Sequence, residues 1–299
     1  MEKAKMFYAL DFPNISPEIF TIRFGEIAIP IYWYALAYIV GITVGYYLIR
    51  AAIGREKLWR AAPPMDRAQL EDLLTWMVVG IIVGGRLGFT LFYQPGYYLT
   101  HPLEIITGIR DGGMSFHGGF LGVVLAAFWF ARKHSIPVAS LADLLAMAAP
   151  IGLGLVRITN FINAELWGRP TLAPWGVIFP GAAAQDCPGF EGPCARHPSQ
   201  LYEALLEGLL LAAVLITLSF AFKWLRHPGR IAGLFFLGYG LSRFVVEFFR
   251  QADAQFITPD NPVGAVFMGM TMGQLLSTPM IVAGVLTLFW SVKKGPARA

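Results

Sequence analysis

The stretch that decides the fold is GIRDGGMSFHGGFLG at residues 108–122, which sets one histidine, His117, between glycines. Residues 123–131, which follow, are apolar without a break, so we expect this histidine at the mouth of a membrane-spanning helix. Gly118 and Gly119 lack a Cβ atom, which lets another helix or a lipid headgroup approach the backbone beside His117. For a histidine on its own, a tight turn with close helix packing is the simpler interpretation.

The composition is that of an integral membrane protein. Of the 299 residues, 14% are charged and 56% are hydrophobic, whereas a soluble domain has about 25% charged residues. At about 20 residues per crossing, the chain is long enough for seven spans. We therefore predict an all-α fold, in which residues 1–299 form one multi-pass bundle of seven transmembrane helices. Residues 1–20 hold no apolar core followed by a small-residue cleavage site, so we expect no removable signal peptide.

Seven apolar segments, and the positive charges between them, predict how the chain crosses the membrane. The segments are residues 31–49, 73–92, 114–131, 141–156, 201–222, 231–249 and 275–292, and the fourth is the weakest. Thirteen Lys and Arg lie in residues 50–69, 132–140, 223–230 and 293–299, and six lie in residues 1–30, 93–113, 158–200 and 251–274. Because Lys and Arg concentrate in cytoplasmic loops, we predict that the N-terminus is outside and the C-terminus is cytoplasmic.

Ionisable residues inside the spans gather toward the outer leaflet of this topology. The four arginines inside spans or at their edges are Arg86, Arg157, Arg243 and Arg250. An unpaired arginine at mid-bilayer costs about 2.5–3.5 kcal/mol, so these side chains must be paired or near water. The same level holds Tyr34, His117, Glu203, Glu207 and Glu247. Such convergence from several helices favours a functional site over packing alone, whereas Asp143, at the cytoplasmic start of the fourth segment, is expected to be an N-cap.

The longest loop, residues 158–200, is predicted to lie outside and to form an ordered cap over the bundle, because it is rich in Gly, Pro and aromatic residues. Both cysteines of the chain, Cys187 and Cys194, lie in it. In an oxidising compartment they can form a disulfide, with two free thiols as the alternative. Ser199 is a possible cap of the next helix. The spacing of Cys and His does not suit zinc, and no phosphate-binding loop or dinucleotide fingerprint is present.

Arg157 and Arg243 are the strongest candidates for binding a ligand. A guanidinium grips a phosphate at two points, and the phosphate at this depth belongs to a phospholipid. Glu247 lies one turn from Arg243 and can hold it in place, although a purely structural salt bridge is the alternative. Arg86 is equally well explained as structural or functional. Arg110 and Asp111 are expected to be solvated or anchoring, and His197 to be structural.

Four motifs together resemble the prolipoprotein diacylglyceryl transferase family. They are DGGMSFHGG (111–119), NFINAELWGR (160–169), RHPSQLYE (196–203) and RFVVEFFR (243–250), and the resemblance runs from about Tyr34 to Gly284. It implies a seven-span enzyme of the bacterial inner membrane, so the outer side predicted from the charges, which holds the N-terminus, is the periplasm. Such an enzyme transfers diacylglyceryl from phosphatidylglycerol to the lipobox cysteine of a prolipoprotein signal peptide and releases glycerol 1-phosphate. This transfer is the first step of lipoprotein maturation.

The resemblance also implies roles for individual residues. Arg157 and Arg243 become the arginines that hold the lipid, and His117 becomes the signature histidine. The implied pocket around them consists of Tyr34, Asn160, Glu165, Gly168, Tyr239 and Glu247, to which we add Arg86 from its position. The family usually reads Gly-Arg-x-Gly-Asn-Phe-Ile-Asn-Gly-Glu, and this chain has Val156, Thr159 and Ala164 in the three glycine places.

The chemistry of these residue types fits that reaction. The thiol displaces a phosphomonoester from a glyceryl carbon, so fixed guanidinium groups lower the barrier by meeting the departing charge. His117 is our candidate base for the thiol, whose free pKa is about 8.5. No cofactor, metal or nucleic acid is expected, because the phospholipid is itself the activated donor. A lipid transporter and a non-catalytic assembly factor are the alternatives, and a transporter more often shows related halves and broken helices near the midplane.

Overall fold

The computed structural model describes residues 9–187 and 192–293, except for the side chains of Ile27, Arg110, Asp111 and Phe116. Seven long helices dominate it: α1 Trp33–Ile53, α2 Arg67–Phe92, α3 Phe116–Lys133, α4 Val138–Ile162, α5 Ser199–Phe220, α6 Arg230–Val246 and α7 Met272–Lys293. Within the described residues, five of them (α1, α2, α4, α5 and α7) are long and apolar enough to cross a membrane. The expected solvation of Arg110 and Asp111 and most of the basic tail 293–299 lie outside the described residues.

The helices overlap all seven predicted segments, and the largest error is in the fourth. Residues 141–156 were expected there, whereas α4 has 25 residues and runs on to Ile162. Polar residues at 157, 159 and 160 end the apolar run but do not end the helix, because each of them has a partner. Other helices supply the partners of Arg157 and Asn160, and the hydroxyl of Thr159 donates to the carbonyl of Val156 within α4 at 2.7 Å. Helices α3 and α6 have 18 and 17 residues, so the count of seven spans stays a prediction.

Two predicted helix caps have other roles. Asp143 caps a neighbouring helix instead of its own, since its carboxylate accepts hydrogen bonds from the amides of Gly229 and Ala232 at 2.7 and 2.8 Å, at the start of α6. Ser199 is not a cap either, because its hydroxyl donates to the carbonyl of Leu166 at 3.1 Å. Both side chains are fully buried, and each therefore ties together separate parts of the chain.

Close backbone packing joins α2 to α3 near His117. A Cβ atom added at Gly88 would lie 2.7 Å from the Cα of Gly118, closer than real side chains come. The glycines next to His117 thus allow the close approach of another helix, α2.

The main core lies at the end of the bundle away from His117, where α1, α5 and α6 bury apolar residues against α2, α3 and α4. Its largest side chains include Phe130, Leu144 and Met147.

The other end carries short strands and the long loop. Strand β1 (Leu10–Asp11) pairs in parallel with β4 (Val177–Ile178), β2 (Glu18–Phe24) forms a hairpin with β3 (Ile27–Tyr32), and β5 (Ala265–Phe267) pairs with β6 (Met270–Thr271). A small second core surrounds Phe179, and Cys187 and Cys194 form the expected disulfide. The loop thus has its own core, and its role as an outward-facing cap stays a prediction.

Candidate functional site

Three helices bring six charged side chains together at the end that carries the long loop. Arg157 comes from α4, Glu203 and Glu207 from α5, and Arg243, Glu247 and Arg250 from the end of α6 and the residues after it. We call these six residues the arginine–glutamate cluster. Helices α4 and α5 touch through backbone at this level, since a Cβ atom added at Gly154 would lie 2.9 Å from the Cα of Gly208.

Glu203 lies at the centre of the cluster. Its carboxylate is fully buried, and guanidinium groups reach it from Arg157 at 3.1 Å, from Arg243 at 2.5 Å and from Arg250 at 3.2 Å. A buried carboxylate needs such partners, because removing one charge from water without compensation costs several kcal/mol, by an order-of-magnitude estimate of about 3–5. Glu203 therefore fixes where the two predicted ligand-binding arginines lie.

The other two glutamates of the cluster, Glu247 and Glu207, differ in how closely their partners approach. Glu247 pairs with Arg243 at 2.9 Å, as predicted, and accepts a hydrogen bond from the hydroxyl of Thr271 at 3.1 Å. Glu207 is fully buried, and its carboxylate lies 3.7 Å from the Nε atom of Arg157. Tyr239, which belongs to the predicted pocket, interacts with both Arg157 and Glu207.

The arginines remain accessible while the glutamates do not. The side chains of Arg157 and Arg243 are 19% and 17% exposed, whereas that of Glu203 is 0% exposed. The contacts of Arg157 with Glu203 and Glu207, at 3.1 and 3.7 Å, are made by its Nε atom. The arrangement can therefore present guanidinium N–H groups to an anion from outside.

A second polar group lies beside the cluster and contains three more predicted residues. The amide of Asn160 donates to Glu165 at 2.8 Å, and the hydroxyl of Tyr34 makes short hydrogen bonds with both of them. The charge of Arg157 acts on Tyr34, so this group borders the arginines. The structure thus brings together six predicted residues from three helices and the loop after α4, as well as Glu247 just beyond α6.

Arg86 is buried and makes hydrogen bonds to backbone carbonyls. It donates to the carbonyl oxygens of Glu104 at 2.6 Å, Ile105 at 2.7 Å, Gly112 at 2.9 Å and Gly113 at 3.3 Å. Those carbonyls belong to the segment that leads into α3. The geometry therefore matches the structural alternative for Arg86, as an anchor of the chain before His117.

His117 lies in the first turn of α3, where its side chain is exposed. The hydroxyl of Ser115 caps this helix by accepting a hydrogen bond from the amide of Gly118 at 3.2 Å. Helix α3 packs chiefly on α2, whereas the arginines are carried by α4 and α6. The role of His117 as a base stays a hypothesis.

Gly168 joins the loop to the end of α6. Its amide donates to the carbonyl of His197 at 2.8 Å, and a Cβ atom added to it would lie 2.5 Å from the carbonyl oxygen of Phe249. A side chain at 168 would thus displace the backbone next to Arg250. Burial lowers the pKa of His197, and its ring packs on Phe249, as expected for a structural histidine.

Arg196 organises the same loop from within. It is buried, and it donates to the carbonyls of Ala184 at 2.5 Å, Asp186 at 2.8 Å and Gly168 at 3.3 Å. Burial lowers the pKa of Arg196. The hydrogen bonds of Arg196 and the disulfide between Cys187 and Cys194 thus connect separate segments of the long loop.

The central position of Glu203 and the parts of Glu207 and Arg250 in the cluster are the features that sequence reasoning missed. All three residues were placed at the outer leaflet, but none was chosen for the site. The available signal was the cost of an unpaired charge in an apolar helix: four arginines required acceptors, and Glu203 was one of few acids at that level. Within the described residues, no group of three or more His, Cys, Asp or Glu side chains is arranged to hold a metal ion.

Comparison with known proteins is consistent with the resemblance seen in the motifs. Residues 19–290 match the family described as prolipoprotein diacylglyceryl transferase. A relative from Cereibacter sphaeroides is 56% identical over 286 residues, which cover 94% of this chain and 98% of the relative. One from Roseobacter denitrificans is 58% identical over 92% of this chain and 95% of its own, and one from Brucella anthropi is 46% identical over 97% and 96%. All three bear the name phosphatidylglycerol–prolipoprotein diacylglyceryl transferase.

Proposed function

This chain belongs to the prolipoprotein diacylglyceryl transferase family, and we propose from that premise how its residues carry out the reaction. The chain is a transferase of the bacterial membrane that carries out the first step of lipoprotein lipidation. It moves the diacylglyceryl group of phosphatidylglycerol to a prolipoprotein. The acceptor is the lipobox cysteine thiol of the signal peptide, and the leaving group is glycerol 1-phosphate.

Arg157 and Arg243 bind the phosphate of the lipid and stabilise the charge that develops on it as the carbon–oxygen bond breaks. The observation that carries this role is their convergence on Glu203 from separate helices, with both guanidinium groups still partly exposed. Their positions are set before the lipid arrives, so little reorganisation is needed in the transition state. The thiol sulfur forms the new bond to the glyceryl carbon, and the phosphomonoester leaves with the bonding electrons.

The neighbouring residues shape the pocket. Tyr34, Asn160 and Glu165 form its wall beside Arg157, and their mutual hydrogen bonds keep the polar edge fixed. Tyr239 interacts with Arg157, and Glu247 pairs with Arg243, so these two residues help to fix the positions of the two arginines.

Two residues act at a distance from the lipid. Gly168 allows the loop to approach the segment that carries Arg250. Arg86 holds the chain before α3 instead of contacting the lipid, because its hydrogen bonds go to backbone carbonyls.

His117 takes the thiol proton in this proposal, since it is an exposed imidazole at the start of a helix on the same side of the bundle. The comparison of His117→Gln with Arg157→Ala tests that role. We expect both to lower turnover, and only the first to shift the pH profile. Near-normal turnover of His117→Gln beside an inactive Arg157→Ala would remove the base role and credit the thiolate to the field of the arginines.

The bundle crosses the inner membrane seven times, with the N-terminus and the cluster on the periplasmic side. The distribution of Lys and Arg supports this orientation. Both substrates are membrane-bound, so they reach the pocket sideways between helices. Labelling of single cysteines placed at residues 25 and 228 in intact cells tests the orientation, since only the first should react with an impermeant reagent.

Purified protein with phosphatidylglycerol and a lipobox peptide tests the function. We expect glycerol phosphate release that requires the peptide cysteine and is lost when that cysteine is serine. Arg243→Ala should abolish release, whereas the control Arg67→Ala should not, because the Arg67 side chain is 60% exposed and pairs with Glu71 along α2. Lipid movement without a covalent product would contradict the proposal and favour a transporter.

A further inference from the structure

Glu207 is the acidic residue with the fewest partners in the arginine–glutamate cluster. It is fully buried and lies in a π-helical stretch of α5, Ala204–Leu210. Among the described residues, neither of its carboxylate oxygens receives a well-formed hydrogen bond, and the hydroxyl of Tyr239 is the one neutral donor that acts on it. Its nearest cation, Arg157, is 3.7 Å away and lies closer to Glu203, at 3.1 Å.

The groups that face Glu207 come from three helices. Glu203 lies one turn before it on α5, Arg157 reaches it from α4, and Tyr239 and Arg243 act on it from α6. Two buried carboxylates one turn apart disfavour each other's charge. Arg157 and Arg243 offset most of that repulsion, and the hydroxyl of Tyr239 adds a smaller contribution.

The formal charges of the cluster sum to zero. It contains the arginines 157, 243 and 250 and the glutamates 203, 207 and 247. A phosphodiester bound to Arg157 and Arg243 adds one negative charge to a site whose side chains are mostly buried. The guanidinium groups that compensated Glu207 are then shared with the phosphate, so Glu207 is the acid whose charge becomes least favourable.

We propose that Glu207 takes up a proton from water when an anionic phospholipid binds, so that the cluster stays neutral. This inference rests on the proposed function, because it requires the lipid phosphate to be held by Arg157 and Arg243. The only bond that forms is the O–H bond of the carboxylic acid. Lipid binding and protonation are then linked, and the affinity for phosphatidylglycerol falls as the pH rises, by at most about tenfold per pH unit for one linked proton.

Calorimetric titration tests the linkage. The protein in phosphatidylcholine nanodiscs is titrated with short-chain phosphatidylglycerol in buffers of high and low ionisation enthalpy, and the difference in measured heat gives the protons taken up. We expect the wild type to take up about one proton per lipid at most. Glu207→Gln and Glu207→Met should take up none and should bind the lipid with an affinity that is independent of pH. Asp143→Asn is the matched control, since it neutralises a buried carboxylate at the opposite end of α4, and it should keep the uptake.

Proton uptake that persists in both Glu207 variants would overturn the inference, as would a wild type that binds the lipid without uptake. If proton uptake were lost in Glu203→Gln but kept in Glu207→Gln, the proton would belong to Glu203, and the inference would also be overturned. Glycerol phosphate release, measured on the same samples, separates the two claims. A wild type that transfers diacylglyceryl but takes up no proton refutes the linkage alone, whereas one that neither binds phosphatidylglycerol nor transfers refutes the proposed function and the linkage with it.

Discussion

Substitution of Glu203 by glutamine is the sharpest test of how the site is held together. Glutamine keeps the size of the side chain and removes the charge that Arg157, Arg243 and Arg250 share at 3.1, 2.5 and 3.2 Å. Removing one partner of a buried ion pair costs about 3–5 kcal/mol. For a chain of this size, a loss of that order lowers the melting temperature by about 6–10 °C, taking about 2 °C per kcal/mol.

The same change should lower the transfer rate by about a hundredfold or more, because a displacement of about 1 Å in a positioning group costs that much. The KM for phosphatidylglycerol should rise as well, since the guanidinium groups are no longer gathered before the lipid binds. Thermal unfolding in one detergent and glycerol phosphate release with a lipobox peptide measure the two effects.

Glu71→Gln is the matched control for Glu203→Gln. Glu71 also pairs with an arginine, but its side chain is 54% exposed, and exposed pairs contribute about 0–1 kcal/mol. If Glu203→Gln melted within 2 °C of the wild type, or kept its activity within threefold, the cluster would not depend on Glu203 and the reasoning would be refuted.

Three further changes test separate features. Ala164 has a positive φ of 52°, so Ala164→Gly should relieve backbone strain and raise stability by about 1 kcal/mol, as measured by thermal unfolding; a lower melting temperature would contradict this. Asp143→Ala removes the acceptor for two amides at the start of α6, and its cost of about 1–2 kcal/mol or more should appear as faster hydrogen exchange there, unlike in the rest of α6. Reduction of the disulfide between Cys187 and Cys194, which are separated by 7 positions, should lower stability by about 2 kcal/mol through loop closure alone, and a double Cys→Ser variant should melt at the temperature of the reduced wild type.

Positions of the long helices follow from the sequence because a membrane span is defined by its apolar run. That rule failed at the end of α4, where Arg157, Thr159 and Asn160 interrupt the run although the helix continues to Ile162. Hydropathy counts the polarity of a residue but not the partner that another helix provides. The same limit explains why Asp143 was wrongly expected to cap its own helix, because its partners at the start of α6 lie 86 and 89 positions away in the sequence.

Part of the membership of the site was predictable from the sequence, but the arrangement of its residues was not. Arg157, Arg243 and Glu247 could be chosen from the cost of burying charge and from one helical turn of spacing. The choice of Glu203 as the shared acceptor depends on how α4, α5 and α6 are rotated, which no local pattern specifies. Arg86 shows another limit, since its position was equally compatible with a structural and a functional role, and the structure gives its guanidinium backbone carbonyls.

The hydrogen bonds of Arg86 affect whether the irregular segment before α3 can contact the acyl chains of the bilayer. Backbone outside a helix normally keeps lipid tails away, because its carbonyl groups need water. Two short helices, Pro95–Thr100 and Glu104–Thr107, and the residue just before the second carry exposed apolar side chains: Leu99, Leu103 and Ile106 are 82%, 79% and 74% exposed. With carbonyls of residues 104, 105, 112 and 113 satisfied from inside, this irregular segment can sink below the headgroups. An arginine, one of the side chains that hydrocarbon tolerates least, thereby makes its neighbours compatible with acyl chains.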